Sequence, residues 1–185
     1  MTTQECIQAK IDAAAPGTLF FISDFGEFDN AYVSKILSLL ESFNILERMA
    51  KGIYYKPIIT KYGTVYPSTD KIVKAIAEHE HAEILPTGES ALNALGLSTQ
   101  VPMKPVYLTT GSPRIIKIGN KTIKLRRRTP GGYAYKSKLM PILTLALKAI
   151  GRNNITDNEL NKIRELLKES SELQLIRDDL LIAPA

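Results

Sequence analysis

Two short stretches carry residue types that could do chemistry. His79-Glu80-His81 offers two imidazoles and a carboxylate. Histidines two apart on a helix point about 200° from each other, and the chain holds no third histidine and only one cysteine, Cys6, to complete a ligand set. Gly88-Glu89-Ser90-Ala91-Leu92 begins like a serine nucleophile turn, but it lacks the second glycine and no histidine follows His81 to act as base. Walker, dinucleotide-binding and HExxH patterns are absent. Neither catalytic residues, a metal nor a cofactor are expected, and the chain reads as a non-enzyme. A divergent nuclease or transferase working through Asp or Glu would leave little linear trace, although few acidic residues lie near the basic tract described next.

The remaining chemistry is that of nucleic-acid contact. Asn30, Tyr32, Ser34, Lys35 and Ser38, together with Glu41, fall on one side of a helical repeat, and the first five supply amide, phenol, hydroxyl and ammonium groups, which read base edges and phosphates. Arg48, Lys51 and Lys56 follow in a hairpin pattern, with Tyr54 or Tyr55 able to pack or donate to phosphate. Farther on, Arg114 to Arg128 holds seven basic residues and no acidic one. Lys117, Lys124 and Arg126 line one strand face there, continued by Arg128 if the strand runs on, and Arg127 completes the basic patch. This tract suits a nucleic-acid or antitoxicity surface, and equally a solvated strand face or a charged sheet edge.

These side chains must be positioned by a small set of elements. Thr2 and Glu5 are spaced as a capping box ahead of Ile7 and Ile11, and Pro16-Gly17 stops that helix. Leu19–Ile22 is a strand or the lead into a one-turn helix at Ser23-Asp24-Phe25. Asp29 caps a helix from Asn30 to Phe43 with Val33, Ile36, Leu37 and Leu40 on its apolar face. Ile45–Met49 and Ile53–Lys56 flank a Lys51-Gly52 turn, and Pro57 closes the unit. Helix, short element, short helix, longer amphipathic helix and hairpin is the order of a winged helix-turn-helix, in which the third helix enters the major groove.

Beyond it, Tyr62 to Pro67 reads as a linker. Ser68 or Thr69 caps a helix carrying Ile72, Val73, Ile76 and Ala77, and Thr87 opens a short helix stopped by Gly96. Val106–Leu108 is a strand, and Arg114–Ile118 and Lys121–Leu125 flank a Gly119-Asn120 turn. Pro130-Gly131-Gly132 ends that region; helices follow over 138–150, from a second capping box at Thr156 and Glu159, and over 172–182. The expected fold class is α+β: a winged helix-turn-helix over residues 1–58, then a larger mixed α/β domain over 59–185 with a basic β-hairpin and C-terminal helices from about residue 138.

Bulk properties agree with a folded, soluble protein. Of 185 residues, 44% are hydrophobic and 23% charged, so a packed core is affordable and disorder is not expected. One cysteine excludes an internal disulfide, no basic-then-apolar leader opens the chain, and no apolar run approaches a membrane span, which together point to the cytoplasm and away from a membrane. The net charge of +5 is unevenly spread: residues 1–58 carry 5 basic and 7 acidic side chains, residues 59–129 carry 11 and 5. An anionic partner is favoured for the middle third.

The segment Asn30–Tyr55, NAYVSKILSLLESFNILERMAKGIYY, resembles the recognition helix and wing of AbiEi-type antitoxins. Thr87–Leu97, TGESALNALGL, is similar to that family's small-residue helix ending in Gly-Leu, and the likeness in order and spacing runs over roughly residues 3–130. What the resemblance implies is an antitoxin of a toxin–antitoxin (abortive infection) system. Such a protein is also a transcriptional autoregulator, neutralising a nucleotidyltransferase-like toxin encoded beside it; because a winged helix reads one half-site and works in pairs, binding to double-stranded DNA at inverted repeats of its own promoter is expected. The alternative is an RNA- or protein-binding module that uses the basic hairpin 114–128, with the winged helix merely structural.

Overall fold

The computed structural model describes residues 2–128 and 135–183, and its fold is α+β. The expected Pro130-Gly131-Gly132 break lies outside the described residues. Two compact units form: residues 1–76 with 115–121, and residues 77–114 with 122–185. The first unit therefore runs past Pro57.

The first unit opens with α1 (Thr3–Ala13), whose Thr2 hydroxyl accepts from Glu5 N while the Glu5 carboxylate accepts from Thr2 N, the reciprocal cap its spacing implies. Strand β1 (Leu19–Phe21) leads into a one-turn 3-10 helix, Ile22–Phe25, so the ambiguous apolar run supplies both. The Asp29 carboxylate accepts from Tyr32 N at 2.9 Å and starts α2 (Asn30–Ser42). Asn44 ends that turn at φ 58°, a left-handed conformation that Asn tolerates better than most residues. Strands β2 (Glu47–Ala50) and β3 (Ile53–Tyr55) then join β1 in an antiparallel sheet ordered β1-β3-β2. A bulge between Arg48 and Ala50 turns Met49 inward to 2% exposure.

The periodicity of α2 sets its packing. Val33, Ile36, Leu37 and Leu40 are buried with Ile7, Ile11, Phe20, Phe25, Leu46 and Tyr54 in one cluster. The stretch read as a linker is instead a second hairpin, β4 (Ile58–Thr60) and β5 (Gly63–Val65), turning at Lys61-Tyr62. Its strands are too short and too exposed for their apolar alternation to announce them.

In the next helix, α3 (Thr69–Glu80), Ile72, Val73 and Ile76 are buried. The second unit carries β6 (Ile84–Pro86), which the sequence does not announce, α4 (Glu89–Ala94) and β7 (Val106–Thr109). Strand β8 (Arg114–Ile118) precedes β9 (Lys121–Arg127), and the sheet order is β6-β7-β9-β8. Strands β6 and β7 are antiparallel, while β7 and β9 run parallel with Tyr107 opposite Leu125. Helices α5 (Leu139–Ile150), α6 (Asp157–Glu169) and α7 (Leu173–Leu180) close the chain, and Ala91, Leu92, Leu95, Met140, Leu143, Ala146, Ile163 and Ile176 form their core with α4. No helix among the described residues is long and apolar enough to cross a membrane.

One buried carboxylate holds the start of α5 to α7. Asp179, 1% exposed, accepts from Lys136 N at 2.8 Å, Ser137 N at 2.9 Å and Ser137 Oγ at 2.6 Å. Burial pushes its pKa up, but the bonds from Lys136 and Ser137 outweigh burial and hold it below the usual 3.8. A carboxylate with a lowered folded-state pKa adds stability above its unfolded pKa and loses it as pH falls through the folded one. The second unit should therefore lose stability below about pH 4, and Asp179→Asn should be less stable at neutral pH with a flatter acid limb, measured by urea unfolding across pH. In the first unit, Leu37 is 0% exposed, so Leu37→Ala should cost about 2–5 kcal/mol in the same assay.

Candidate nucleic-acid interface

The burial of the α2 stripe leaves its other side open. Asn30, Tyr32, Lys35 and Ser38 are exposed and Ser34 is half-buried, so these side chains lie outside the buried stripe of α2. Ser38 Oγ lies 3.2 Å from the Tyr54 hydroxyl, which ties the polar face of α2 to the central strand β3. From β2, the exposed Arg48 places its guanidinium 6.0 Å from the centroid of the same Tyr54 ring, at the outer range of a cation–π contact. Lys51 is exposed at the turn between β2 and β3, beside Gly52 at φ 76°.

Lys56 has a different position. Its Nζ donates to the carbonyls of Ile11 at 2.9 Å, Asp12 at 3.0 Å and Ala14 at 2.7 Å. All three ammonium protons are used, and the charge caps the C-terminal end of α1, where the unpaired carbonyls concentrate negative potential. None is left to donate to a phosphate, so Lys56 drops out of the contact set that its type and position suggested. A linear pattern shows the charge but not the carbonyls it meets.

The basic tract divides in a similar way. Lys117 on β8 and Lys124, Arg126 and Arg127 on β9 are exposed, while Ile116, Ile118, Ile123 and Leu125 are buried, which is the alternation expected of the two strands. Lys124 and Arg126, two apart, share one face of β9. Arg128, by contrast, is half-buried and pairs with Glu83 at 2.5 Å, and Arg114 pairs with Glu80. Both carboxylates border the end of α3, so two of the seven charges are partly neutralised within the fold.

Sequence reasoning missed the β4–β5 hairpin altogether. Its turn carries Lys61 and Tyr62, and Tyr62 is 88% exposed with the Lys61 ammonium 4.9 Å from its ring centroid. The signal that could have found it is Ile58-Ile59-Thr60 and Gly63-Thr64-Val65, two short β-prone runs two residues apart. Below the hairpin, Tyr66 donates to both Glu47 carboxylate oxygens at 3.1 and 3.0 Å; burial first, and then this carboxylate, hold the phenol above its usual pKa. Among the described residues no cluster of three or more His, Cys, Asp or Glu could hold a metal, and His81 leaves the helix at φ 49°.

The two lysines at opposite ends of β3 should separate cleanly. Lys56→Ala should lower the stability of the first unit by about 1.5–3 kcal/mol, the range for hydrogen bonds to a charged group, whereas Lys51→Ala should leave it unchanged in the same urea titration.

No curated protein matches the chain. A family of unknown function, DUF6088, matches residues 6–175, and the chain belongs to it.

Proposed function

We propose that the chain is a transcriptional autoregulator and antitoxin. Residues 1–58 read duplex DNA as a winged helix-turn-helix, and residues 59–185 neutralise a nucleotidyltransferase-like toxin encoded alongside. The observation that carries the DNA half is the division of α2: Val33, Ile36, Leu37 and Leu40 are buried behind it while Asn30, Tyr32, Lys35 and Ser38 face solvent. A helix so divided, backed by a three-stranded antiparallel sheet and flanked by Arg48 and Lys51, suits insertion into a major groove with the β2–β3 turn along the phosphates. The antitoxin half rests on the likeness of Asn30–Tyr55 and Thr87–Leu97 to AbiEi-type antitoxins. On this reading the protein is not an enzyme, needs no cofactor and acts in the cytoplasm.

The exposed cations of β9 favour one other reading, an RNA- or protein-binding module centred on Lys124 and Arg126. Binding by the full-length protein to inverted repeats near its own promoter separates the two. With Lys35, Arg48 and Lys51 among the phosphate-facing cations of each copy, the log–log salt slope should be about −3 to −5 per bound copy. Arg48→Ala and Lys51→Ala should weaken all sequences alike and reduce that slope by about 1 each, while Lys35→Ala should also shift sequence preference. A flat salt response, or no preference over random DNA, would count against the DNA half. For the antitoxin half, reversing charge at Lys117, Lys124 and Arg126 together should abolish protection in toxin-survival plating and spare promoter binding; full protection by that variant would remove the basic strands from this role.

A further inference from the structure

At the β2–β3 turn, Gly52 lies against the Ile22 side chain, 3.4 Å from where a Cβ would stand. The β4–β5 hairpin is different. It is anchored at its base: the Tyr55 hydroxyl donates to the Val65 carbonyl at 2.7 Å, and the Tyr66 hydroxyl donates to Glu47. Past these anchors both strands are exposed from Ile59 to Val65, and the Thr60 side chain braces the turn by accepting from Tyr62 N at 3.3 Å and donating to the Gly63 carbonyl at 2.8 Å. Three strand residues carry the tip roughly 10 Å from the base. An isolated two-stranded hairpin is marginal in water, and here nothing in the first unit's core cluster requires its outer half.

The hairpin also faces α2. Ile59 and Thr64, opposite each other in register, line one side of an open groove, with Ser38 and Ser42 of α2 and Arg48 of β2 on the others. Glu41 and Glu47 line this groove too and would repel a phosphate lodged in it. What remains for an anionic partner is the two rims: the polar face of α2 on one side, and on the other the tip, where Lys61 is the only charge between Pro57 and Pro67.

We infer that β4–β5 is a second wing: with α2 in the major groove, Tyr62 enters the adjacent minor groove of the same duplex and Lys61 contacts the phosphate beside it. The minor groove is about 6 Å wide, too narrow for the ribbon but open to a single ring, and inserted side chains of this kind wedge between base steps. The inference rests on the DNA reading of α2 proposed above.

The test uses the full-length protein and a fluorescent duplex from the DNA upstream of its own coding sequence, read by anisotropy over a salt series, with hydroxyl-radical footprinting. Arg48→Ala reports on α2 and its hairpin, and Lys61→Ala, Tyr62→Ala and Tyr62→Phe report on the tip. Expected results are a salt slope smaller by about 1 for Lys61→Ala, and a loss of roughly tenfold for Tyr62→Ala together with disappearance of minor-groove protection flanking the site. Tyr62→Phe, which keeps the ring, should lose far less affinity than Tyr62→Ala. Thermal unfolding of the three tip variants should match the parent, because the tip is solvated. If the parent and Arg48→Ala differ but all tip variants bind and footprint like the parent, the second wing is wrong and the DNA reading stands. If the parent binds no DNA, both fall. Unchanged DNA binding with an altered sedimentation mass for Tyr62→Ala would make the hairpin a protein–protein surface and overturn the inference.

Discussion

The geometry of the first unit turns on Tyr54. Its ring is 1% exposed in the middle of β3, opposite Phe20 on one side and Arg48 on the other. From that position its hydroxyl reaches Ser38 on α2, and its ring takes the guanidinium of Arg48. A buried phenol must find a polar partner, and the partner available is on the solvent-facing side of the helix whose apolar side packs in the same core. Helix, strand and basic side chain are thereby held in one arrangement. The spacing between the polar face of α2 and the β2–β3 hairpin is set by packing around a single side chain, not by the loop that joins them.

Around this centre, the use of positive charge is tightly constrained. Five basic residues serve the first 58 positions, against seven acidic ones. Lys56 is consumed by the end of α1, and Lys10 donates to the Asp24 carbonyl and lies 4.9 Å from the Phe25 ring centroid. Arg48 keeps one face on Tyr54, which leaves Lys35 and Lys51 as the cations that the fold does not use. Near the end of α3 the same thing happens to Arg114 and Arg128, each paired with a glutamate. Counting charges along the chain therefore overstates what is available to a partner. The reason is physical: unpaired helix-end carbonyls and neighbouring carboxylates attract a cation before any ligand arrives.

In the second unit, the same tension between burial and charge is resolved by Asp179. Three donors from two consecutive residues, Lys136 and Ser137, converge on a carboxylate that α7 carries into the interior. Helix α7 has only Ile176 and Asp179 buried, so a polar clamp, alongside the apolar core of α4, α5 and α6, holds it in place.

Local rules were enough for much of this protein. The capping boxes at Thr2 and Thr156, the Asp29 cap, the buried stripe of α2 and the alternation in β8 and β9 are short-range patterns with a period or a fixed offset, so they are legible in one dimension. The α+β class and the polar face of α2 follow from them. The β4–β5 hairpin left only a weak local signal, and tertiary structure alone decided the three-residue strand β6 and the division of the cations into those held by the fold and those left exposed. Short strands carry too few residues to show a period, and the existence of β6 depends on a partner strand distant in sequence, with Leu85 opposite Leu108. The role of Lys56 depends on carbonyls 42 to 45 positions away, brought within 3.0 Å by the packing of α1 against the sheet, and no pattern along the chain records that distance.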